Sequence, residues 1–282
     1  MVKIDAFKKI LRKTQSELKL SLMKFLSKAD YCPIVGDGFL YGEGTIPIML
    51  VAHLDTVHKT IPEEIYFDEE KFVVWSPTGI GGDDRCGVYL IMRLLSRGYK
   101  PHVLFLEDEE KGCIGARKCV EVLGKPNVKF IVEIDRRGED DCVFYDCDNK
   151  EFQDYIQTFN FKKAWGSCSD ICVLSKAWDI ASVNLSSGYY NEHTYYEHIK
   201  MLHLNKTFMR VIRILEDDNK EKPYYDFQEK IYQTNWLPKK DKVDEESTEA
   251  IQFGQYGWWD KYKKYHPYDY DDDEDIYKEY YR

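Results

Sequence analysis

Apolar residues recur at helical intervals at the start of the chain. Between residues 5 and 27 they lie mostly three or four positions apart, a spacing that puts side chains on one face of an α-helix. The members of this face are Phe7, Ile10, Leu11, Leu18, Leu22 and Phe25. The pattern predicts one amphipathic helix over these residues.

Short continuous apolar runs follow and alternate with helical patterns. The runs cover residues 45–53, 103–106, 128–134 and 180–185. Continuous runs of this length are typical of strands buried on both faces. Helical patterns lie at residues 88–95, 112–123 and 194–215. The alternation predicts an α/β fold, a three-layer sandwich with a mainly parallel central sheet and a ligand site at the carboxyl ends of its strands.

The pattern changes after Asp218. Residues 219–249 are polar and charged, residues 257–270 are rich in Trp and Tyr, and residues 271–275 are all acidic. We therefore expect a folded domain over residues 1–218, followed by a polar linker and a Tyr- and Trp-rich acidic tail over residues 219–282. The tail has two interpretations: a partly unfolded acidic segment, or an aromatic segment that binds a protein partner.

Composition argues against two kinds of partner. The chain has 40 basic and 50 acidic residues, a net charge of -10, and no segment that concentrates Lys and Arg as phosphate binding requires. It also has no apolar run long enough for a membrane span or a signal peptide. We expect no nucleic acid partner, no membrane association and a cytoplasmic location.

The eight cysteines are expected to be free thiols, as is usual for a cytoplasmic protein. The alternative is a structural zinc site formed by Cys142, Cys147, Cys168 and Cys172. Their spacings differ from the two-residue spacing of common zinc knuckles, which disfavours that site.

Side chains that bind metals occur at or just after the predicted strand ends. They are His53, Asp55, Asp83, Asp84, the four acidic residues 107–110, Asp135 and His193. Each has an ordinary structural explanation by itself, such as a solvated acidic loop. In one parallel sheet, however, all of them would meet in a single crevice. Imidazole and carboxylate ligands together favour zinc, manganese or cobalt over calcium.

These motifs resemble those of the co-catalytic di-zinc exopeptidases and acylases, which include aminopeptidases, tripeptidases, a glutamate carboxypeptidase and succinyl-diaminopimelate desuccinylase. The similar segments are residues 53–57, 82–87, 109–116, 135 and 190–194. Many relatives insert a lid or dimerisation domain of about a hundred residues. The chain has no room for one between residues 53 and 83 or 135 and 193, so it resembles the single-domain form without a lid.

The resemblance implies a set of metal ligands. Asp83 would bridge two divalent metal ions, zinc by analogy, with manganese and cobalt as alternatives. His53 and Asp135 would complete one metal site. Glu110 and His193 would complete the other.

The resemblance also implies catalytic roles. Glu109 would be the general base, and Asp55 would hold the imidazole of His53. Residues 166–170 resemble a Ser-Asp turn that lies near the active site in some relatives.

The implied function is hydrolysis of a peptide or amide bond by a metal-activated water, with an aminopeptidase on short peptides as the leading interpretation. An N-acyl-amino-acid deacylase or desuccinylase, acting on acyl-amino-acid substrates, would use the same metals and base. A third interpretation is a non-catalytic interaction protein on the same scaffold. The complete set of ligands and base argues against it, because a cluster of like charges is costly without a chemical role.

Overall fold

The computed structural model describes residues 4–217 and 224–230. The helices are α1 (Ile4–Leu11), α2 (Gln15–Lys28), α3 (Gly82–Leu95), α4 (Ile114–Val122), α5 (Lys150–Gln157), α6 (Asp170–Trp178) and α7 (Met201–Glu216). The strands are β1 (Ile34–Gly36), β2 (Phe39–Gly42), β3 (Ile46–His53), β4 (Tyr66–Asp68), β5 (Val73–Trp75), β6 (Pro101–Leu106), β7 (Ile131–Arg136), β8 (Asp141–Val143), β9 (Lys162–Lys163), β10 (Ser182–Ser186), β11 (Tyr189–Tyr190) and β12 (His198–Lys200).

An eight-stranded sheet forms the centre of the domain, in the order β1-β2-β6-β3-β7-β10-β8-β9. Its middle strands β6, β3, β7 and β10 are parallel to one another, and antiparallel pairs lie toward its edges. A second sheet, in the order β11-β12-β5-β4, is antiparallel throughout. The predicted mainly parallel central sheet is confirmed, whereas the sequence did not indicate the second sheet.

Helices cover both faces of the central sheet. In β3, Leu50 and Ala52 belong to a core shared with α1, α2, α3, α5 and α7, while Met49 and Val51 belong to a second core shared with α4 and α6. Successive side chains of a strand point to opposite faces. Burial on both faces explains the continuous apolar run at this strand, and the predicted three-layer arrangement is confirmed.

The prediction of one helix over residues 5–27 is wrong, because the helix is interrupted between α1 and α2. Thr14 is the N-cap of α2: its hydroxyl accepts the backbone N–H of Glu17, and the Glu17 carboxylate accepts the backbone N–H of Thr14. This reciprocal capping satisfies backbone donors that a helix start leaves unpaired, and it stabilises the break.

The prediction of a helix from residue 194 is also wrong at its start. Helix α7 begins at Met201, and the preceding residues His198–Lys200 form β12, which pairs with β5. Residues 191–197 form a turn rather than a helix. Pairing with a distant strand replaces the local helical preference here.

Residues 224–230 pack against the same domain. The backbone N–H of Tyr225 donates to the Lys129 carbonyl at 2.8 Å, and the Ala181 N–H donates to the Tyr225 carbonyl at 2.8 Å. The Tyr225 ring is buried and stacks on Tyr155, with ring centroids 5.7 Å apart. The hydrophobic core thus includes a side chain beyond Asp218. The rest of the predicted linker and tail lies outside the described residues.

Two further expectations concern the described part of the chain. No helix there is long and apolar enough to cross a membrane. All eight cysteines are free thiols, as expected. The four cysteines considered as a structural zinc site do not form a metal-binding group among the residues described.

Candidate metal centre

The residues predicted as ligands meet at the carboxyl edge of the central sheet. His53 ends β3, Asp135 is the penultimate residue of β7, and residues 107–110 directly follow β6. Asp83 lies in the first turn of α3, and His193 lies in the turn between β11 and β12. Because parallel strands share one carboxyl edge, the side chains that follow β3, β6 and β7 converge there. The expectation that all of the ligands follow strands of one parallel sheet is wrong for Asp83, which lies in α3, and for His193, which lies between two strands of the antiparallel sheet.

The Asp83 carboxylate lies between two imidazoles. Its Oδ1 is 2.9 Å from Nε2 of His53, and its Oδ2 is 3.3 Å from Nε2 of His193. Each carboxylate oxygen therefore faces a different histidine. This is the arrangement that a carboxylate bridging two ions would need.

The other carboxylates divide between the two histidines. Asp135 Oδ1 lies 3.6 Å from Nε2 of His53, and Glu110 Oε1 lies 3.0 Å from Nε2 of His193. His53 is buried, whereas half of the His193 side chain is exposed. One half of the cluster is therefore closed and the other is open to solvent.

The charges and donor types of this cluster fit divalent metal ions. Burial raises the pKa of Asp135 well above its usual range, and the negative charge of Asp83 acts in the same direction. Burial would also raise the pKa of Asp83, but hydrogen bonds with His193 and His53 outweigh it and lower that pKa. One ligand atom each from His53, Asp83 and Glu110 lies within 4.8 Å of the others. Nitrogen and oxygen donors in such a group suit zinc, manganese or cobalt.

Asp55 connects the histidine to the segment that carries the predicted base. Its Oδ1 lies 3.2 Å from Nδ1 of His53 and accepts the backbone N–H of Glu109 at 3.0 Å. Its Oδ2 accepts the backbone N–H of Glu110 at 3.2 Å. A carboxylate on Nδ1 leaves Nε2 of His53 free to face the cluster.

Glu109 is not in the ion-pair cluster but lies beside it. It lines a cleft of about 130 Å³ together with Asp83, Glu110, Asp135 and His193. Burial raises the pKa of Glu109 to about 7, and the charges of Glu110 and Asp83 act in the same direction against that of His53. A carboxyl group with this pKa can accept and release a proton near neutral pH.

A second cavity of about 460 Å³ adjoins the cleft and shares Glu110 with it. Asp55, His58 and Arg85 also line this second cavity. A third cavity, of about 590 Å³, lies along α1, α2 and α3 and contains none of the predicted ligands. Although it is larger, its lining contains no histidine, cysteine, aspartate or glutamate.

Sequence reasoning missed Glu197, a buried residue that supports the Asp83 turn. Its carboxylate accepts the backbone N–H groups of Gly81 and Asp83, both at 2.9 Å, and lies 2.8 Å from Nε2 of His58. Glu197 lies in the stretch predicted as helix. The sequence around Glu197 did not indicate this contact, because it shows only an acidic residue four positions after His193.

Two further features border the cleft. Tyr189, also missed from the sequence, donates its hydroxyl to Asp135 Oδ1 at 3.1 Å. Of the Ser-Asp turn over residues 166–170, Gly166, Ser167 and Cys168 line the cleft, and Asp170 is buried behind it.

Comparisons with known proteins agree with this architecture. No protein-family model matches the chain, and no curated protein matches its sequence. Among solved structures, the aminopeptidase PepT from Bacillus cereus has a TM-score of 0.64 and 14% identity, covering 76% of this chain and 97% of that chain. A tripeptidase from Staphylococcus aureus has a TM-score of 0.63 and 14% identity, covering 76% and 96%.

A third structure, an aminopeptidase from the archaeon Desulfurococcus kamchatkensis, has a TM-score of 0.61 and 12% identity, covering 77% of this chain and 95% of that chain. At identities of 12% to 14%, the structural similarity shows a shared fold and no more. The chain therefore shares its fold with these two aminopeptidases and this tripeptidase.

Proposed function

We propose that this protein is a metal-dependent hydrolase that cleaves a peptide or amide bond, acting as an aminopeptidase on short peptides. The observation that carries the proposal is the Asp83 carboxylate with one histidine at each oxygen, beside Glu109, which lines the same cleft. The fold shared with two aminopeptidases and a tripeptidase supports it.

Two divalent ions, most suitably zinc, are the proposed cofactors. His53, Asp83 and Asp135 would hold one ion, and Asp83, Glu110 and His193 would hold the other. Ions at these positions would lower the pKa of a water molecule and polarise the scissile carbonyl. Asp55 keeps His53 oriented and, through the Glu109 and Glu110 backbone N–H groups, fixes the segment that carries the base.

Glu109 would carry the proton during the reaction. Its carboxylate takes a proton from the attacking water and returns it to the leaving amine nitrogen, so it ends each cycle unchanged. This role requires a carboxylate at the cleft that is not occupied as a ligand, and the position of Glu109 in the lining of the cleft supports it.

The surrounding space suits a small substrate. The cleft and the adjoining cavity of about 460 Å³ meet at Glu110, so a substrate can extend from the cluster toward His58. This volume lies in the range of small-molecule binding sites. A short peptide fits such a site, and the described residues include no separate lid domain between β3 and α3 or between β7 and β11.

A paired substrate screen tests the proposal. Protein purified without chelator and supplied with zinc, manganese or cobalt is incubated with aminoacyl amides, short peptides and N-acyl amino acids. We expect hydrolysis of the aminoacyl substrates, and loss of that activity in Glu109→Gln at unchanged metal content. Hydrolysis of N-acyl amino acids alone would replace the aminopeptidase assignment with a deacylase. No hydrolysis of any amide by metal-loaded protein would refute the enzymatic assignment.

A further inference from the structure

The second cavity, of about 460 Å³, extends from the cleft into a space between three segments of the chain. Its lining includes the connection between α1 and α2, residues 56–62 after β3, and the start of α3. Glu110 lies at the end that adjoins the metal cluster, because it lines both the cleft and this cavity. The rest of a substrate bound at the cluster can therefore extend into this cavity.

The acidic side chains that line this cavity already have partners. Asp108 Oδ1 lies 2.8 Å from Nζ of Lys111. Asp55 accepts the backbone N–H groups of Glu109 and Glu110, and the Glu110 carboxylate faces a histidine of the cluster. These carboxylates are therefore engaged elsewhere than with the remaining basic groups of the lining.

Three basic side chains of the lining form no ion pair with a carboxylate in the described part of the chain: Lys13, Lys59 and Arg85. Arg85 is only 2% exposed, and its Nη2 donates to the Lys13 carbonyl at 3.0 Å. Its buried Nη1 has no hydrogen-bond partner among the described residues. A buried guanidinium with an unused donor favours an anion nearby, and carboxylates are the anions that arginine and lysine bind most often in peptides.

We propose that the second cavity binds the C-terminal carboxylate of a short peptide, with Arg85 as the positive charge in its wall and Lys13 and Lys59 as the ammonium groups on its solvent side. Lys59 is exposed and Lys13 is half-buried. The assignment rests on the proposed function, because a peptide whose amino end lies at the metal cluster carries its carboxylate into this cavity. The free carboxylate, rather than a particular side chain, is then the feature that the site selects.

The overall charge of the protein acts against this selectivity. The chain has a net charge of -10, so long-range attraction favours a cation over a neutral molecule. A peptide with a free carboxylate is neutral overall at pH 7, whereas its C-terminal amide is a cation. A preference for the free acid therefore has to come from basic groups at the site itself.

A comparison of peptide acids with their C-terminal amides tests the proposal. The dipeptide Leu-Gly, the tripeptide Leu-Gly-Gly and the amides of both are assayed with the full chain loaded with zinc. We expect kcat/KM of the free acid to exceed that of its amide at least about tenfold at one of the two lengths, the effect of one hydrogen bond to a charged group. Equal or higher kcat/KM for the amides at both lengths would overturn the proposal.

Variants of the basic residues locate the site. The double variant Lys13→Gln/Lys59→Gln should bring the acid-to-amide ratio of kcat/KM close to one. The matched control Lys24→Gln/Lys28→Gln removes the same charge from exposed positions of α2 outside this cavity and should keep the ratio. Arg85→Gln should lower the ratio as well, and the double variant carries the test if the buried substitution prevents folding. An unchanged ratio in the double variant would overturn the proposal.

A binding measurement separates failure of this proposal from failure of the proposed function. The zinc-loaded Glu109→Gln variant is titrated with both peptide acids and both amides by calorimetry, so that hydrolysis does not consume the peptides. Binding of a free acid at least about tenfold tighter than its amide supports the carboxylate site, whether or not the unaltered protein hydrolyses amides. Equal binding of acids and amides overturns the carboxylate site, even in a protein that hydrolyses both.

Discussion

The substitution Asp55→Asn tests how the site is held together. Asp55 accepts two backbone N–H groups and contacts Nδ1 of His53, so its two oxygens serve three groups. Asparagine has one carbonyl oxygen, and its amide presents hydrogen where Asp55 presents the second oxygen. At least one of the three donors therefore loses its acceptor.

The size of the effect follows from these contacts. A hydrogen bond to a charged group contributes about 1.5–3 kcal/mol, which corresponds to roughly a 10- to 100-fold change in an equilibrium constant. Loss of a group that orients a metal ligand costs about the same factor in affinity. We therefore expect Asp55→Asn to weaken metal binding about 10- to 100-fold, measured by competition with a chromophoric chelator.

Asp68→Asn is the matched control. Asp68 Oδ1 accepts the backbone N–H groups of Glu70 and Lys71, at 3.0 and 2.9 Å, in the turn after β4. The carbonyl oxygen of asparagine can still accept both N–H groups, so this control removes only a carboxylate charge, at a place that contacts no predicted ligand. Metal affinity should be unchanged in this control. Equal losses in both variants, or full affinity in Asp55→Asn, would refute the orienting role of Asp55.

Three further predictions address catalysis, pH and the chain end. Glu109→Gln should keep the bound metal and lose at least about 100-fold in turnover, whereas Glu110→Gln should lose metal; reversed results would exchange the base and the ligand. Burial lowers the pKa of His102 below its usual value, so this side chain binds a proton at a higher pH in the unfolded state than in the folded state. The free energy of unfolding should therefore decrease as the pH falls below about 6.5. Urea unfolding at pH 7.5 and 5.5 should show a smaller pH effect in His102→Gln, and an unchanged effect would contradict this origin. A chain ending at Asp217 should keep its metal site but lose about 3 kcal/mol of unfolding free energy relative to one ending at Lys230, because it lacks the buried Tyr225 ring; equal denaturation midpoints would show that this ring contributes little.

The parts of the fold that the sequence predicts are those set by local pattern. Residues 48–53 are buried without interruption in β3, so a continuous apolar run identifies a central strand. His53 and Asp135 were predictable as neighbours because they lie at the ends of the adjacent parallel strands β3 and β7, whereas Asp83 lies in α3, which follows the antiparallel strand β5. The break at Thr14 was also encoded locally, in its reciprocal capping with Glu17, but the apolar periodicity continues across it.

The parts that the sequence does not predict depend on distant pairing. Strands β4, β5, β11 and β12 have two or three residues each, too few to show an alternating pattern. Pairing of β12 with β5 brings the preceding residue, Glu197, under the turn that carries Asp83. No local feature of residues 194–200 indicates that contact, so both the second sheet and the role of Glu197 require the structure.

Metal stoichiometry tied to activity tests the central claim most directly. Metal-free protein is titrated with zinc while bound metal, by elemental analysis, and amide hydrolysis are followed on the same samples. We predict saturation at two ions per chain, with full activity reached only as the second ion binds. Saturation at one ion per chain, or full activity in the metal-free protein, would contradict a site in which Asp83 joins two metal ions.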